Sequence, residues 1–293
     1  MKILLTGGSG FIGKNISESF LAEKYQILAP SHSELDLLEQ DSVREYFDKN
    51  KIDVIIHSAC KPGHRNAKDP TGIFYSNTRM FYNLLSQKNK WQKMIMLGSG
   101  AVYGCRHYKP KMSEEYCGKN IPTDEHGFSR YVMAKQAETY ENIYELRLFG
   151  VFGKYEDWQI RFISNAICKT LYDLPITIKQ NRKFDYVYVD DLMPILDYFI
   201  ENDTDGKVFN VTPDCSTELA RLAEIVNQIS GKNLPIEIQL GGLGDEYSGE
   251  NTLLKSEIKN MTFAPHRKTI EELYKWYALR KKDIDKTALL VDK

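Results

Sequence analysis

The stretch KILLTGGSGFIG, residues 2–13, decides the reading of the fold. A short apolar run passes straight into a glycine-rich turn and then into FIGKNISESFLAE, which has the composition of a helix. A strand, a tight glycine turn and a helix in that order aim backbone N–H groups and the helix dipole at an anion. Gly7, Gly10 and Gly13, with Phe11 and Ile12 between them, are therefore candidate contacts for the pyrophosphate of a dinucleotide. Glycines suit the position because a side chain would block close approach.

Outward from that turn, apolar runs alternate with helical stretches. YQILAP precedes DSVREYFDKN, DVIIHSA precedes FYSNTRMFYNLLSQ, and KMIMLGS precedes a helix around YVMAKQAETYE. The runs are rich in Ile, Leu and Val and barely alternate, as strands covered on both faces do. The expected fold is α/β: a doubly wound parallel Rossmann sheet with a smaller mixed α/β substrate-binding domain at the C-terminal end. Residues 1–170 are assigned to the dinucleotide-binding domain, with a return to the sheet at roughly 184–212. Residues 171–293 mainly form the second domain. LGGLGDEYSGEN, a segment with several glycines, precedes an expected final helix from Thr269 to Tyr277.

Composition narrows the function. Of 293 residues 42% are hydrophobic and 27% charged, and 39 Lys and Arg nearly balance 40 Asp and Glu, so no basic excess points to nucleic acid. The N-terminus reads as neither a signal peptide nor a membrane span, and a cytoplasmic protein without membrane partners is expected. The five cysteines form no CxxC pair and the six histidines no metal-ligand spacing, so no metal site is expected.

The chemistry-bearing positions lie just beyond the expected strands. The second strand ends in Pro30, Ser31, His32 and Ser33 before any carboxylate, which removes the repulsion that rejects a ribose phosphate. NADP is favoured over NAD, with Ser31 and His32 as contacts. Tyr131 and Lys135 stand four apart and share one helix face, where an ammonium can stabilise a phenolate. Ser99 ends the fourth strand, within LGSGAVYG.

These motifs together resemble the extended short-chain dehydrogenase/reductases, the NAD-dependent epimerase/dehydratase family. TGGSGFIG, ELDLL at 34–38, HSAC at 57–60, SGAVYG, YVMAK, RLFGVFG at 147–153, YVYVDDL at 186–192 and FNVT at 209–212 occur in the family's order. The resemblance implies a catalytic triad of Ser99, Tyr131 and Lys135. It places Asp36 and Leu37 beside the adenine, and Ala59, Lys61 and Asn77 along the cofactor. A nucleotide-sugar substrate, touched by Ser99, Gly100, Tyr155 and Arg182, and a homodimer are expected with it.

Departures refine the expectation. Gly100 and Ala101 replace the acidic pair of the 4,6-dehydratases. The pattern is nearest to the GDP-L-fucose synthase group, yet Ala101 and Tyr155 stand where that group has a cysteine and a histidine for epimerisation. Reduction of a 4-keto sugar by NADPH, without proton exchange beside the ketone, is expected, unless His64 or Cys105 reaches the site from a loop. A 4-epimerase with retained NAD(P) and a non-catalytic NADP-binding sensor are the alternatives. Gly150 and Phe184 replace an Asn and an Arg that touch the diphosphate in the family, leaving Arg147, Arg182 or Lys183 as substitutes.

Overall fold

The computed structural model describes residues 1–63, 66–67 and 69–291. The first half alternates strand and helix: β1 (Lys2–Thr6), α1 (Phe11–Ser17), α2 (Phe20–Lys24), β2 (Gln26–Leu28), α3 (Gln40–Lys49), β3 (Val54–His57), α4 (Ile73–Leu85), β4 (Lys93–Ser99), α5 (Glu125–Ala137) and β5 (Ile143–Leu148). The second half comprises β6 (Gly150–Phe152), α6 (Phe162–Leu171), β7 (Ile176–Asn181), β8 (Lys183–Phe184), β9 (Tyr186–Tyr188), α7 (Leu192–Glu201) and β10 (Val208–Val211). It ends in β11 (Thr217–Glu218), α8 (Leu219–Ser230), β12 (Ile236–Leu243), α9 (Thr252–Glu257), α10 (His266–Ala278) and α11 (Lys286–Leu289).

Six strands form one sheet in the order β2-β1-β3-β4-β5-β10, every pair parallel. The unbroken Val, Ile and Leu runs follow from coverage on both faces. Ile3, Leu5, Ile56 and Leu97 face a layer that includes Ile16 of α1 and Leu196 and Phe199 of α7. Leu4, Ile55, Met94 and Met96 face Phe47 of α3, Phe81 of α4 and Met133 of α5. The chain leaves β1 for β2 on one side and returns to β3 on the other, which opens a crevice beyond the ends of β1 and β3.

A second core lies outside the sheet, built from α6, α8, α10 and β7, with Ile167, Leu222 and Leu273 fully buried. Short strand pairs β6–β9, β8–β11 and β7–β12 dress it. The glycine-bearing segment begins within a strand, because Ile236–Leu243 pairs in parallel with β7. Among the described residues no helix is long and apolar enough to cross a membrane, and no cluster of His, Cys, Asp or Glu is placed to hold a metal ion.

Candidate active site

The crevice at the switch point is a cavity of about 990 Å³. Its floor is the turn from Thr6 to Ile12, including Gly7, Gly10 and Phe11. Gly7 has φ +71°, and a β-carbon there would lie 2.8 Å from the Ala59 backbone, so only glycine fits. Gly13 does not line the cavity; a β-carbon on it would meet the Gly7 carbonyl at 2.1 Å, so it lets α1 press onto the turn. No acidic side chain occupies the first turn of α1, and its N-terminus is uncapped by any side chain. The residues fit the dinucleotide that the sequence implies, with the pyrophosphate against this turn.

The wall beyond β2 comes from Pro30, His32, Asp36 and Leu37, and Ala59 and Lys61 continue it after β3. Ser31 turns away, its amide and hydroxyl each donating to Glu34 at 2.8 Å. Asn77 acts one step back. Its Oδ1 accepts the Lys61 amide at 2.7 Å and its Nδ2 donates to the Lys61 carbonyl at 3.2 Å, which fixes the loop that lines the cavity.

The opposite end is walled by Ala101, Cys105, Tyr108, Asp124, His126 and Arg161. Ser99 lies beside this wall. Its hydroxyl accepts the Ala101 amide at 3.1 Å and interacts with Tyr247, while a β-carbon on Gly100 would meet the Tyr247 hydroxyl at 2.5 Å. Tyr247 also packs against Tyr108, ring centroids 4.5 Å apart, and burial holds its phenol well above the usual range. Cys105 reaches the cavity, as the sequence allowed; His64 lies outside the described residues.

The structure does not bring Tyr131 and Lys135 to the cavity wall. Both pack beneath the Cys117–Gly118 turn: a β-carbon on Gly118 would lie 3.9 Å from the Tyr131 hydroxyl and 3.7 Å from Lys135 Cε. Lys135 Nζ is paired with Glu138 at 2.8 Å. The α5 residues that reach the crevice and the strand ends are instead His126 and the buried Arg130. Tyr155 is also elsewhere, with its hydroxyl on Glu18 at 2.8 Å, Lys14 over its ring and Trp276 against its edge.

Arg182 lines a second cavity of about 460 Å³ between α6 and β7, with Lys169, Lys179, Thr177, Gln180 and Phe184. Its described wall holds three cations and no carboxylate. Arg147 is committed to Glu145 at 2.9 Å deep in the sheet, and Lys183 is not on this wall. Gly150 is explained by packing, since a β-carbon there would meet the Asp185 carbonyl at 2.7 Å. The sequence reading missed His126, Arg130, Arg161 and Tyr247. The first two carried a signal, the spacing of four in HGFSR at the start of α5.

Comparison with known proteins agrees with this architecture. The chain is 28% identical over 227 residues to the GDP-L-colitose synthase of Yersinia pseudotuberculosis, a match covering 70% of this chain and 73% of that protein. Among solved structures, the GDP-mannoheptose C4 reductase of Campylobacter jejuni with NADP bound superposes with a TM-score of 0.80 at 19% identity, covering 94% and 98% of the two chains. The UDP-glucose 4-epimerase of Thermotoga maritima with UDP-glucose gives 0.80 at 19% identity, covering 97% and 100%. The model of the NAD dependent epimerase/dehydratase family matches residues 3–212, so a parallel sheet, a glycine turn and a crevice at the switch point are here the parts of a chain that belongs to that family.

Proposed function

We propose that this protein is an NADPH-dependent reductase of a 4-keto sugar linked to a nucleoside diphosphate. The observation that carries the reading is the pair of cavities. One is the dinucleotide crevice; the other presents Lys179 and Arg182, with Lys169 donating to Thr177 at 2.6 Å, beside the apolar Phe162 and Phe184. Clustered cations suit a diphosphate and the aromatic rings suit a base. The GDP-sugar enzymes among the relatives make GDP the first nucleotide to test.

In this reading residues 1–170, with the return at 184–212, hold the cofactor, and residues 171–293 mainly hold the sugar nucleotide, α6 serving the second group. When bound, NADPH supplies a hydride to the ketone carbon. The chain's part is to hold the ketone oxygen, which we assign to Ser99, to bring it a proton and to keep water away. Gly100 backs the sugar subsite. Tyr155 is held against Glu18, and we give it no part in this reading.

The test is a thermal-shift series with GDP, UDP, CDP and dTDP, since a ligand that binds only the folded state raises its apparent stability. One nucleotide should raise Tm, and Arg182→Ala should weaken it about tenfold, the loss of one charge-assisted hydrogen bond. No shift with any of the four would remove the nucleotide-sugar reading.

A further inference from the structure

We propose that His126 and Arg130 are the proton donor and the cofactor-holding cation of this site, doing on α5 what the resemblance assigns to a tyrosine and a lysine. The proposal rests on the reductase reading and names the residues that perform it. His126 and Arg130 stand four apart, so they share one helix face. His126 lines the cofactor cavity together with Ala101 and Asp124. The first turn of α5 is pressed onto the loop after β4: a β-carbon on Gly127 would lie 3.0 Å from the Ala101 carbonyl. Asp124 caps that turn by accepting the Gly127 amide at 2.8 Å. The imidazole is thus held beside the loop that follows Ser99.

Arg130 is the second, independent observation. It is 7% exposed, and its Nη1 donates to the Leu97 carbonyl at 3.2 Å. Its Nε is buried without a hydrogen-bond partner among the described residues. A guanidinium buried with so little compensation is costly. Its position between the ends of β3 and β4 shows what would repay it. His57, at the end of β3, feels its charge, and the next residues, Ser58 to Lys61, line the cofactor cavity. Ribose hydroxyls of a bound dinucleotide are the acceptors that such a cation lacks. Tyr131 and Lys135, by contrast, already have their neighbours in Gly118 and Glu138.

The chemistry balances. As the C4–H bond of the dihydronicotinamide breaks, its hydride goes to the carbonyl carbon and the C=O pair moves onto oxygen. That oxygen takes the proton from the His126 imidazolium. The ketone becomes an alcohol, NADPH becomes NADP+, and neutral His126 recovers its proton from water. A guanidinium never yields a proton at working pH, so Arg130 holds and polarises. An imidazole, with an ordinary pKa of about 6.5, needs no neighbouring ammonium to act as an acid near neutrality.

NADPH binding, followed by nicotinamide fluorescence, tests the cation without any substrate. Arg130→Met should weaken binding tenfold or more and Arg130→Lys should hold it within about threefold. Weakening by Lys135→Met in place of Arg130→Met would overturn the assignment. Should Arg130→Met fold poorly, the wild-type protein decides: the His126 imidazole signal in NMR, assigned with His126→Gln, should move on adding NADP+, and an unmoved signal refutes the placement. For the donor, His126→Gln should cut reduction of a GDP-linked 4-keto-6-deoxyhexose at least a hundredfold while NADPH affinity stays within about twofold. A comparable loss in Tyr131→Phe with His126→Gln fully active would restore the tyrosine. If the wild-type protein does not reduce that sugar, the substrate reading fails, and the binding and NMR results still judge His126 and Arg130.

Discussion

Glu34 folds back onto Ser31, and the two hydrogen bonds it accepts hold its carboxyl below the ordinary range. This puts an ionised carboxylate at the end of the second strand, where a ribose phosphate would be received, and occupies the amide and hydroxyl that could receive it. Removing it should help NADPH more than NADH, because only the former adds a phosphate there. Glu34→Ala is expected to tighten NADPH about threefold at low salt with little change for NADH. The gain should shrink as ionic strength rises, because the group is exposed. Titration of both nucleotides by fluorescence checks this, and equal shifts would show that the phosphate lies elsewhere. Absence of an acid in PSHS was a fair reading of the four residues themselves; the carboxylate arrives from the next turn, which no strand-end pattern records.

At the scale of elements, the segment between β6 and α6 buries Glu156, with the Ser164 hydroxyl of α6 donating to it at 2.6 Å. Burial pushes its carboxyl up to about 8. The folded protein therefore keeps a proton that the unfolded chain, near its ordinary 4.5, has lost. Stability should fall as pH rises from about 5 to 8, by up to about 1.4 kcal/mol per unit. Glu156→Gln should flatten that slope in urea titrations, and an unchanged slope would mean the carboxylate is ionised in place. The same scale shows what a sequence reveals. The strands β1, β3 and β4 were legible because two-sided burial writes unbroken apolar runs. β12 was not, because it is exposed along most of its length and carries Gly241 and Gly242. On α5 the helix and the spacing of four were legible, and the face was not. Five residues along a helix turn the face by about 140°, so YVMAK and HGFSR look in different directions, and only packing selects one of them.

Across the whole molecule, the two helices nearest the site leave an aromatic face uncovered. Tyr75 is 63% exposed on α4, Tyr82 and Phe128 are 38% exposed on α4 and α5, and Phe128 stacks on Phe74 with centroids 5.1 Å apart. Over its 13 residues α4 carries one charged side chain, Arg79. An aromatic surface poor in charge marks an interface more often than a solvated face. The homodimer expected from the sequence would use this face, α4 and α5 against the same pair, because a two-fold contact makes one patch serve both partners. Light scattering should then give twice 33.8 kDa. Tyr75→Glu, which buries a charge in the contact without touching the cavity, should shift the mass to one chain at micromolar concentration. With a partner seated there, α5 would carry His126 and Arg130 on the side of the site and Phe128 on the side of the contact. Loss of the partner should loosen that helix, so the Tyr75→Glu protein should bind NADPH a few-fold more weakly. A single-chain mass for the wild type across the accessible concentrations would show that the aromatic face meets something other than a copy of itself.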